Sequence, residues 1–223
     1  STDADCIVKK QWIETMVAEL LLKKADMVLG SVSLKGNNSL LSNLQQLEFS
    51  TLMGITKSTA NLNFTILSNG ANCLFYKTDF ISLEPYKFNK KVASGDDIFL
   101  LHALKKADKK IMFADNEAAI VITHVKYSLR GFINQRVRWA AKSRHYQDTY
   151  SIVIGTIVLL SNFFIFIMLF AVSFRLISFQ DFLIFIIVKW LFDYSFIRKI
   201  PTHLIPKNIF LTSIYLSFFY PFY

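Results

Sequence analysis

Three short groups of polar residues have types and spacings that could do chemistry. The first is Asp3-Ala4-Asp5. Two carboxylates at positions i and i+2 of an extended segment point the same way, so both can approach one hard cation. Mg²⁺ or Mn²⁺ binds one or two carboxylates and completes its coordination with water and phosphate oxygens. The alternative is a solvated loop, which is the commoner setting for such a pair.

The second group is Ser94-Gly95-Asp96-Asp97, which opens an apolar helical pattern. Acidic residues favour the positive end of a helix, and both Ser94 and Asp96 are good N-cap residues. Capping explains one of the two acids well. The other interpretation makes one of them a general base, whose carboxylate must reach the hydroxyl of a substrate.

The third group is Gln135-Arg136-Val137-Arg138-Trp139, about a dozen residues before the chain turns apolar. On a helix, the Gln, the second Arg and the Trp share one face. A guanidinium suits bidentate contact with a phosphate, and an indole packs well against a sugar or a lipid. The alternative is an interfacial helix whose basic face binds anionic headgroups.

Two smaller features leave similar alternatives open. Gly70-Ala71-Asn72 precedes an apolar strand and allows close approach of the backbone to a ligand, or is simply a turn. His124 precedes the basic stretch and could contact a metal or a phosphate, although a structural role is the commoner one.

The elements that must position these residues alternate between helices and short strands. Apolar periodicity predicts helices over residues 10–24, 40–54 and 98–106, with a Ser/Thr/Asn-rich loop from 55 to 70. Short strands are predicted over 27–34, where Gly30 interrupts the run, and over 73–76, 111–114 and 119–123. The pattern indicates a layered α/β domain over residues 1–125.

The last third of the chain has the composition of a membrane protein. Apolar residues make up 53% of the 223 residues, and 22 of them are Phe. We predict a basic interfacial helix over 126–149, then two to three transmembrane helices in a region from 150 to 223, at about 152–174, 182–198 and 205–223. Lys189 and Asp193 lie one helical turn apart in the second span, so we expect an ion pair.

The charge pattern orients these spans. Basic residues precede the first span with no acid among them, namely Lys126, Arg130, Arg136, Arg138, Lys142 and Arg144. The positive-inside rule then predicts a multi-pass protein of a cell membrane, such as a bacterial inner membrane, with its α/β part in the cytoplasm. The net charge of +9 fits anionic membrane lipids better than nucleic acid, for which we see no motif. Two cysteines, Cys6 and Cys73, are too few for a disulfide framework.

In this order and ahead of an apolar span, the three polar groups resemble the motifs of the family-2 membrane glycosyltransferases, such as cellulose synthase, hyaluronan synthase and ceramide glucosyltransferase. The resemblance implies the C-terminal part of a GT-A (Rossmann-like) fold. It also implies inverting, metal-dependent transfer of a sugar from a UDP- or GDP-sugar donor to a lipid-linked or polysaccharide acceptor. A single transfer and a processive synthase both remain open.

The resemblance also assigns roles to residues. Asp3 and Asp5 would hold Mg²⁺ or Mn²⁺, with Asp5 as the more direct ligand. The acid pair supplies the catalytic base, which aligns with Asp97, and Asp96 stands where the family more often has Glu.

The remaining roles concern substrate binding. Gln135, Arg138 and Trp139 would line the donor and acceptor region. Gly70, Ala71 and Asn72 would shape the acceptor site. We expect Arg136 and the other basic residues to face lipid headgroups.

Two further expectations complete this interpretation. The nucleotide-binding strands of the family precede its Asp-x-Asp motif, so the chain resembles a fragment that starts at that motif. We expect these 223 residues alone to bind donor poorly and to be inactive. The competing hypothesis is a catalytically silent membrane-anchored module that binds anionic lipid or a partner protein.

Overall fold

The computed structural model describes residues 1–87, 95–143, 146 and 148–222, with the side chain of Lys142 excepted. Its helices are α1 (Trp12–Leu22), α2 (Leu40–Asn61), α3 (Lys77–Leu83), α4 (Asp96–Lys106), α5 (Leu129–Ser143), α6 (Thr149–Ser173), α7 (Phe179–Ile197) and α8 (Ile209–Phe219). Its strands are β1 (Met27–Leu29), β2 (Val32–Lys35), β3 (Cys73–Phe75), β4 (Ile111–Phe113) and β5 (Val121–His124). Short 3₁₀ turns cover Glu117–Ala119, Thr202–Leu204 and Tyr220–Phe222.

The strands form two small sheets. In the first, β1 pairs antiparallel with β3 and parallel with β4, so that Leu29 lies beside both Cys73 and Phe113. The second sheet consists of β2 and β5 in parallel. Gly30 separates β1 from β2, as predicted, because a Cβ atom there would lie 2.3 Å from the side-chain nitrogen of Asn72.

Helices cover both faces of the first sheet. On one face, α1 buries Met16 and Leu20 in a cluster with Val28. On the other face, α4 buries Leu101 and Leu104 in a cluster with Met27. Neighbouring strand residues point to opposite faces, which is why Met27 and Val28 join different clusters. The helix–sheet–helix layering confirms the predicted mixed α/β class.

The predicted end of α2 is wrong. The helix does not stop at Gly54 but continues to Asn61, through the segment predicted as a loop. The hydroxyls of Thr56 and Thr59 each donate to the carbonyl four residues earlier, at 2.8 Å. These bonds allow polar side chains to be buried along a helix. The Ser/Thr/Asn-rich composition of the segment therefore led to the wrong prediction. Helix α2 is the longest helix that the structure describes in the α/β part.

The start of α4 also differs from the prediction. Its N-cap is Gly95, with a φ of 108° that favours glycine, so Asp96 is not the cap. Asp96 and Asp97 instead occupy the first turn, where carboxylates interact favourably with the helix dipole. Ser94, the other predicted cap, lies outside the described residues. The sequence analysis also missed the seven-residue helix α3.

Among the described residues, α6 is the one helix long and apolar enough to cross a membrane. It has 25 residues with a mean hydropathy of 2.6, and 11% of its apolar stretch is buried within the protein. The second predicted span is the 19-residue α7, which carries Asp181, Lys189 and Asp193. The third is α8, whose 11 residues cover roughly 16 Å, about half of a hydrocarbon core. Spans two and three remain predictions.

The apolar helices pack against the α/β part through α2. Leu47 of α2 forms a buried cluster with Ile197 and Leu216, at the end of α7 and on α8. Lys189 and Asp193 form the predicted ion pair, with 2.8 Å between the ammonium nitrogen and a carboxylate oxygen. Helix α2 therefore contacts both the sheets and the apolar helices.

Candidate active site

An open cleft of about 560 Å³ collects nine of the ten predicted site residues. It lies between the first residues of the chain, α2, the start of α4 and α5. The predicted residues among its lining are Asp3, Asp5, Gly70, Ala71, Asp96, Asp97, Gln135, Arg138 and Trp139. Residues 3 and 139 thus meet in one cavity although most of the α/β part separates them in sequence.

Asp3 and Asp5 lie in an exposed turn that backbone hydrogen bonds hold at both ends. Before the turn, the backbone N–H of Cys73 donates to the carbonyl of Ser1 at 3.3 Å. After it, Ile7 exchanges two backbone hydrogen bonds with Ile122 of β5. These hydrogen bonds hold both carboxylates at the mouth of the cleft.

The residue types around this turn fit a hard cation. Ligand atoms of Asp3, Asp5 and Cys6 lie within 4.8 Å of one another. Burial and the two neighbouring acids raise the pKa of the Cys6 thiol, while hydrogen bonds only partly offset the effect. The thiol therefore stays protonated at neutral pH. Two carboxylates remain as ligands, which is the number that Mg²⁺ or Mn²⁺ commonly takes from a protein.

Asp96 and Asp97 face the cleft from the first turn of α4. Asp96 is exposed and Asp97 is half-buried. Gly70 lies directly opposite, because a Cβ atom built on it would come within 3.6 Å of the Cβ of Asp97. The predicted acid pair and the Gly70 turn are therefore neighbours. We call the four carboxylates at positions 3, 5, 96 and 97 the acidic wall.

The acidic wall makes the cleft electronegative. Burial raises the pKa of Tyr146, which also lines the cleft, to about 12, and the charge of Asp97 adds to this shift. Burial likewise raises the pKa of Cys73 to about 11, with Asp97 contributing. Among the described residues that line the cleft, the four carboxylates face two permanent cations, Lys126 and Arg138. A divalent cation would offset this imbalance.

The opposite side of the cleft comes from one face of α5, and we call Gln135, Arg138 and Trp139 the α5 wall. The ring of Trp139 packs against Phe49 of α2, with 6.1 Å between the ring centroids. Arg138 is exposed, whereas Gln135 and Trp139 are half-buried. The predicted helical face is thus present, and it faces the cleft.

The prediction that Arg136 faces lipid headgroups is wrong. Its side chain is buried, and its guanidinium lies 2.6 Å from a carboxylate oxygen of Glu48 on α2. Arg136 is one of several basic residues in this segment, but its side chain points into the protein and not toward solvent. Arg130 of the same helix is exposed, whereas Arg144 lies outside the described residues.

Asn72 lies behind the cleft, away from its lining. It is completely buried, and its side-chain nitrogen donates to the carbonyls of Ser31 and Ala119 at 2.8 and 2.7 Å. Its side-chain oxygen accepts from the indole nitrogen of Trp12 at 3.0 Å. All three bonds are internal, so this amide fixes the junction of the two sheets and holds the turn that carries Gly70.

The family model described as Glycosyl transferase family 21 matches residues 2–220. The chain belongs to glycosyl transferase family 21. The match covers all three groups of polar residues and the apolar helices. Comparison with curated proteins finds no match.

Membership of family 21 makes the chain a glycosyltransferase, and it confirms the resemblance to family-2-like enzymes. The substrates therefore include a sugar donor and an acceptor. The cleft brings together carboxylates, an open space and an arginine, which are groups that a sugar transfer can use.

The sequence analysis missed several residues that support the cleft of this family 21 enzyme. Gln45 of α2 is buried and exchanges two hydrogen bonds with the backbone of Lys126, at 2.9 Å each. Glu48 follows one turn later and holds Arg136. Nothing in the local sequence singled them out, because α2 carries polar residues at many other positions as well. His124, singled out earlier, lines the cleft and is exposed.

Proposed function

We propose that the protein performs an inverting, metal-dependent transfer of a sugar from a UDP- or GDP-sugar to a lipid-linked acceptor at the cytoplasmic face of a membrane. The observation that carries the proposal is the meeting of the acidic wall and the α5 wall in one cleft. Family membership supports sugar transfer, and the α/β layers support a GT-A fold.

Each wall of the cleft has a distinct part in this chemistry. Asp97 accepts the proton of the acceptor hydroxyl while that oxygen attacks the anomeric carbon opposite the leaving diphosphate. Arg138 offsets negative charge on the departing phosphates. Asp3 and Asp5 would hold Mg²⁺ or Mn²⁺, which neutralises the diphosphate when bound. Trp139 supplies a flat apolar surface for the sugar or the acceptor.

A second cavity favours a lipid-linked acceptor over a free polysaccharide. It has a volume of about 370 Å³ and lies between α2 and the helices α6 to α8. Its apolar wall includes Val158, Phe192, Phe196 and Leu216. Leu52 of α2 lines both this cavity and the cleft. An amphiphile with its chains in the second cavity would hold its polar end close to the acidic wall.

The proposal includes the membrane arrangement. Helix α6 supplies one span by length and composition. We include α7 and α8 as further membrane elements because α7 packs against α6, where Phe164 meets Phe185, and α8 packs against α7. Lys189 and Asp193 of α7 also neutralise each other. By the positive-inside rule, the basic residues ahead of α6 support a cytoplasmic position for the cleft.

Binding and transfer by the full-length protein in lipid nanodiscs test the proposal. We expect Mn²⁺-dependent binding of at least one donor among UDP-glucose, UDP-N-acetylglucosamine and GDP-mannose. We also expect transfer of radiolabelled sugar from that donor to extracted membrane lipid. Asp5→Ala should abolish the metal dependence. Asp108→Asn, an exposed acid at the other end of α4, is the matched control and should leave it intact.

Three results would contradict parts of the proposal. Absence of metal-dependent donor binding, with binding to anionic vesicles retained, would support the silent membrane-anchored module. Transfer to a soluble glycan but not to lipid would support a polysaccharide acceptor. Retention of the sugar's anomeric configuration would exclude the inverting mechanism.

A further inference from the structure

Arg136 and Glu48 form a buried bidentate ion pair between α5 and α2. The Nε atom donates to one carboxylate oxygen at 2.9 Å, and Nη2 donates to the other at 2.6 Å. Both residues are buried. Removing two charges from water is costly, and an apolar pair of similar volume often stabilises a fold as well or better. The presence of this pair therefore calls for a reason besides stability.

The same guanidinium contacts two residues of the α5 wall. It lies over the ring of Trp139, with 4.5 Å between its central carbon and the ring centroid, and over Phe132 at the same distance. Its third nitrogen, Nη1, donates to the side-chain oxygen of Gln135 at 2.9 Å. One buried cation thus contacts the indole and the amide that line the cleft.

The bond to Gln135 determines which end of the amide faces the ligand. A guanidinium carries only donors, so it must meet the amide oxygen and not the amide nitrogen. The NH₂ group of Gln135 is then the end left to donate toward the cleft, where it suits an oxygen of a sugar hydroxyl or a phosphate. Without Arg136, the amide could flip and present an acceptor instead.

We infer that Arg136, fixed by Glu48, is a positioning residue that orients Gln135 and Trp139 for sugar transfer. The inference rests on the proposed function. It assigns Arg136 no contact with substrate, in contrast to its neighbour Arg138. A lysine can pair with Glu48 but cannot at the same time bind that carboxylate through two nitrogens and reach Gln135 through a third.

Kinetics of sugar transfer separate positioning from stability. In the full-length protein, we expect Arg136→Lys to lower kcat for transfer to extracted lipid by about 10- to 100-fold, because small misplacements are costly, with a smaller effect on KM for the nucleotide-sugar. The double variant Glu48→Leu/Arg136→Met removes both charges together. It should unfold at about the same temperature as the native protein, but its kcat should stay as low as that of Arg136→Lys. Arg130→Lys, an exposed arginine on the same helix, is the control. Recovery of kcat in the double variant would show a purely structural pair and overturn the inference.

A second measurement does not depend on activity. In a Trp12→Phe/Trp190→Phe background, Trp139 is the single tryptophan, and its quenching by acrylamide reports how firmly it is held. We expect Arg136→Lys to increase quenching and Arg130→Lys to leave it unchanged. Increased quenching in this background, when the protein with its native tryptophans transfers no sugar, would contradict the proposed function and not the packing role. Unchanged quenching together with normal kcat would overturn the inference.

Discussion

The two walls of the cleft are built in opposite ways. The acidic wall consists of carboxylates on an exposed turn and on the first turn of a helix, and three of its four residues are exposed. The α5 wall lies on a continuous helix, where Trp139 packs on Phe49 and a buried guanidinium holds Gln135. One wall presents like charges that repel each other, whereas the other is packed and hydrogen-bonded.

The difference fits the proposed roles of the two walls. Four carboxylates around one space repel each other and a cation among them relieves that repulsion, which is consistent with the proposed metal-bound diphosphate. The α5 wall is organised before any ligand arrives, which lowers the entropic cost of binding a sugar. Substitutions in the acidic wall should therefore affect activity and not stability, whereas substitutions of Gln135 and Trp139, the half-buried residues of the α5 wall, should affect both.

Asp97→Asn should have the largest effect. Loss of the general base is expected to lower kcat by about 10²- to 10⁴-fold. The change in the free energy of unfolding should stay within about 0.5 kcal/mol, because the residue is only half-buried at a helix end. Transfer assays and thermal unfolding check both parts. A large loss of stability would place Asp97 in the scaffold and remove the contrast between the walls.

Trp139→Ala should affect stability most. The ring packs against a buried cluster that includes Val32, Phe49 and Val121. Because Trp139 is half-buried, we expect a loss of about 2 kcal/mol in the free energy of unfolding, below the cost for a fully buried ring. Activity should fall as well. Trp139→Phe, which keeps a ring, should recover most of the stability; if Trp139→Ala unfolds like the native protein, the α5 wall is not held by packing.

These contrasts show where the sequence was informative. The meeting of Asp3, Asp97 and Arg138 in one cleft was predictable, because their order and spacing match a family pattern. Arg136 and Glu48 were not, because 88 positions separate them and neither forms a local pattern. Asn72 was assigned to the acceptor site because residues 70–72 match a loop of the family that the chain resembles. Only the packed structure shows that its three hydrogen bonds are all internal.

The C-terminal part of α2 is a related case. The predicted loop after Gly54 contained Thr56 and Thr59, whose hydroxyls bond to the helix backbone. Residue types alone suggest a loop, but burial against β4 and the apolar helices overrides that propensity. The long apolar helix α6 was the easiest element to predict, since its hydropathy does not depend on tertiary contacts.

Arg138→Lys should lower activity less than Asp97→Asn does. Arg138 belongs to the α5 wall by position but is exposed like the acidic wall. Lysine keeps the charge and loses bidentate contact with phosphate, so kcat/KM should fall by about tenfold while stability stays unchanged. The matched change Arg130→Lys on the same helix should alter neither quantity. Equal loss of kcat/KM in both variants would show that the effect is not specific to position 138, and would contradict a contact of Arg138 with phosphate.

The smallest effect concerns pH and a residue behind the acidic wall. Burial lowers the pKa of His102 below its ordinary value of 6.5, and its ring lies edge-on to Tyr146 with 5.5 Å between centroids. The unfolded chain then binds a proton more readily than the folded protein, so stability must fall as pH drops below about 6.5. We expect a lower Tm at pH 5 than at pH 7.5, and a smaller difference in His102→Gln. Equal pH dependence in both proteins would show that His102 keeps its proton affinity on folding, and that the region behind the acidic wall is solvated rather than packed.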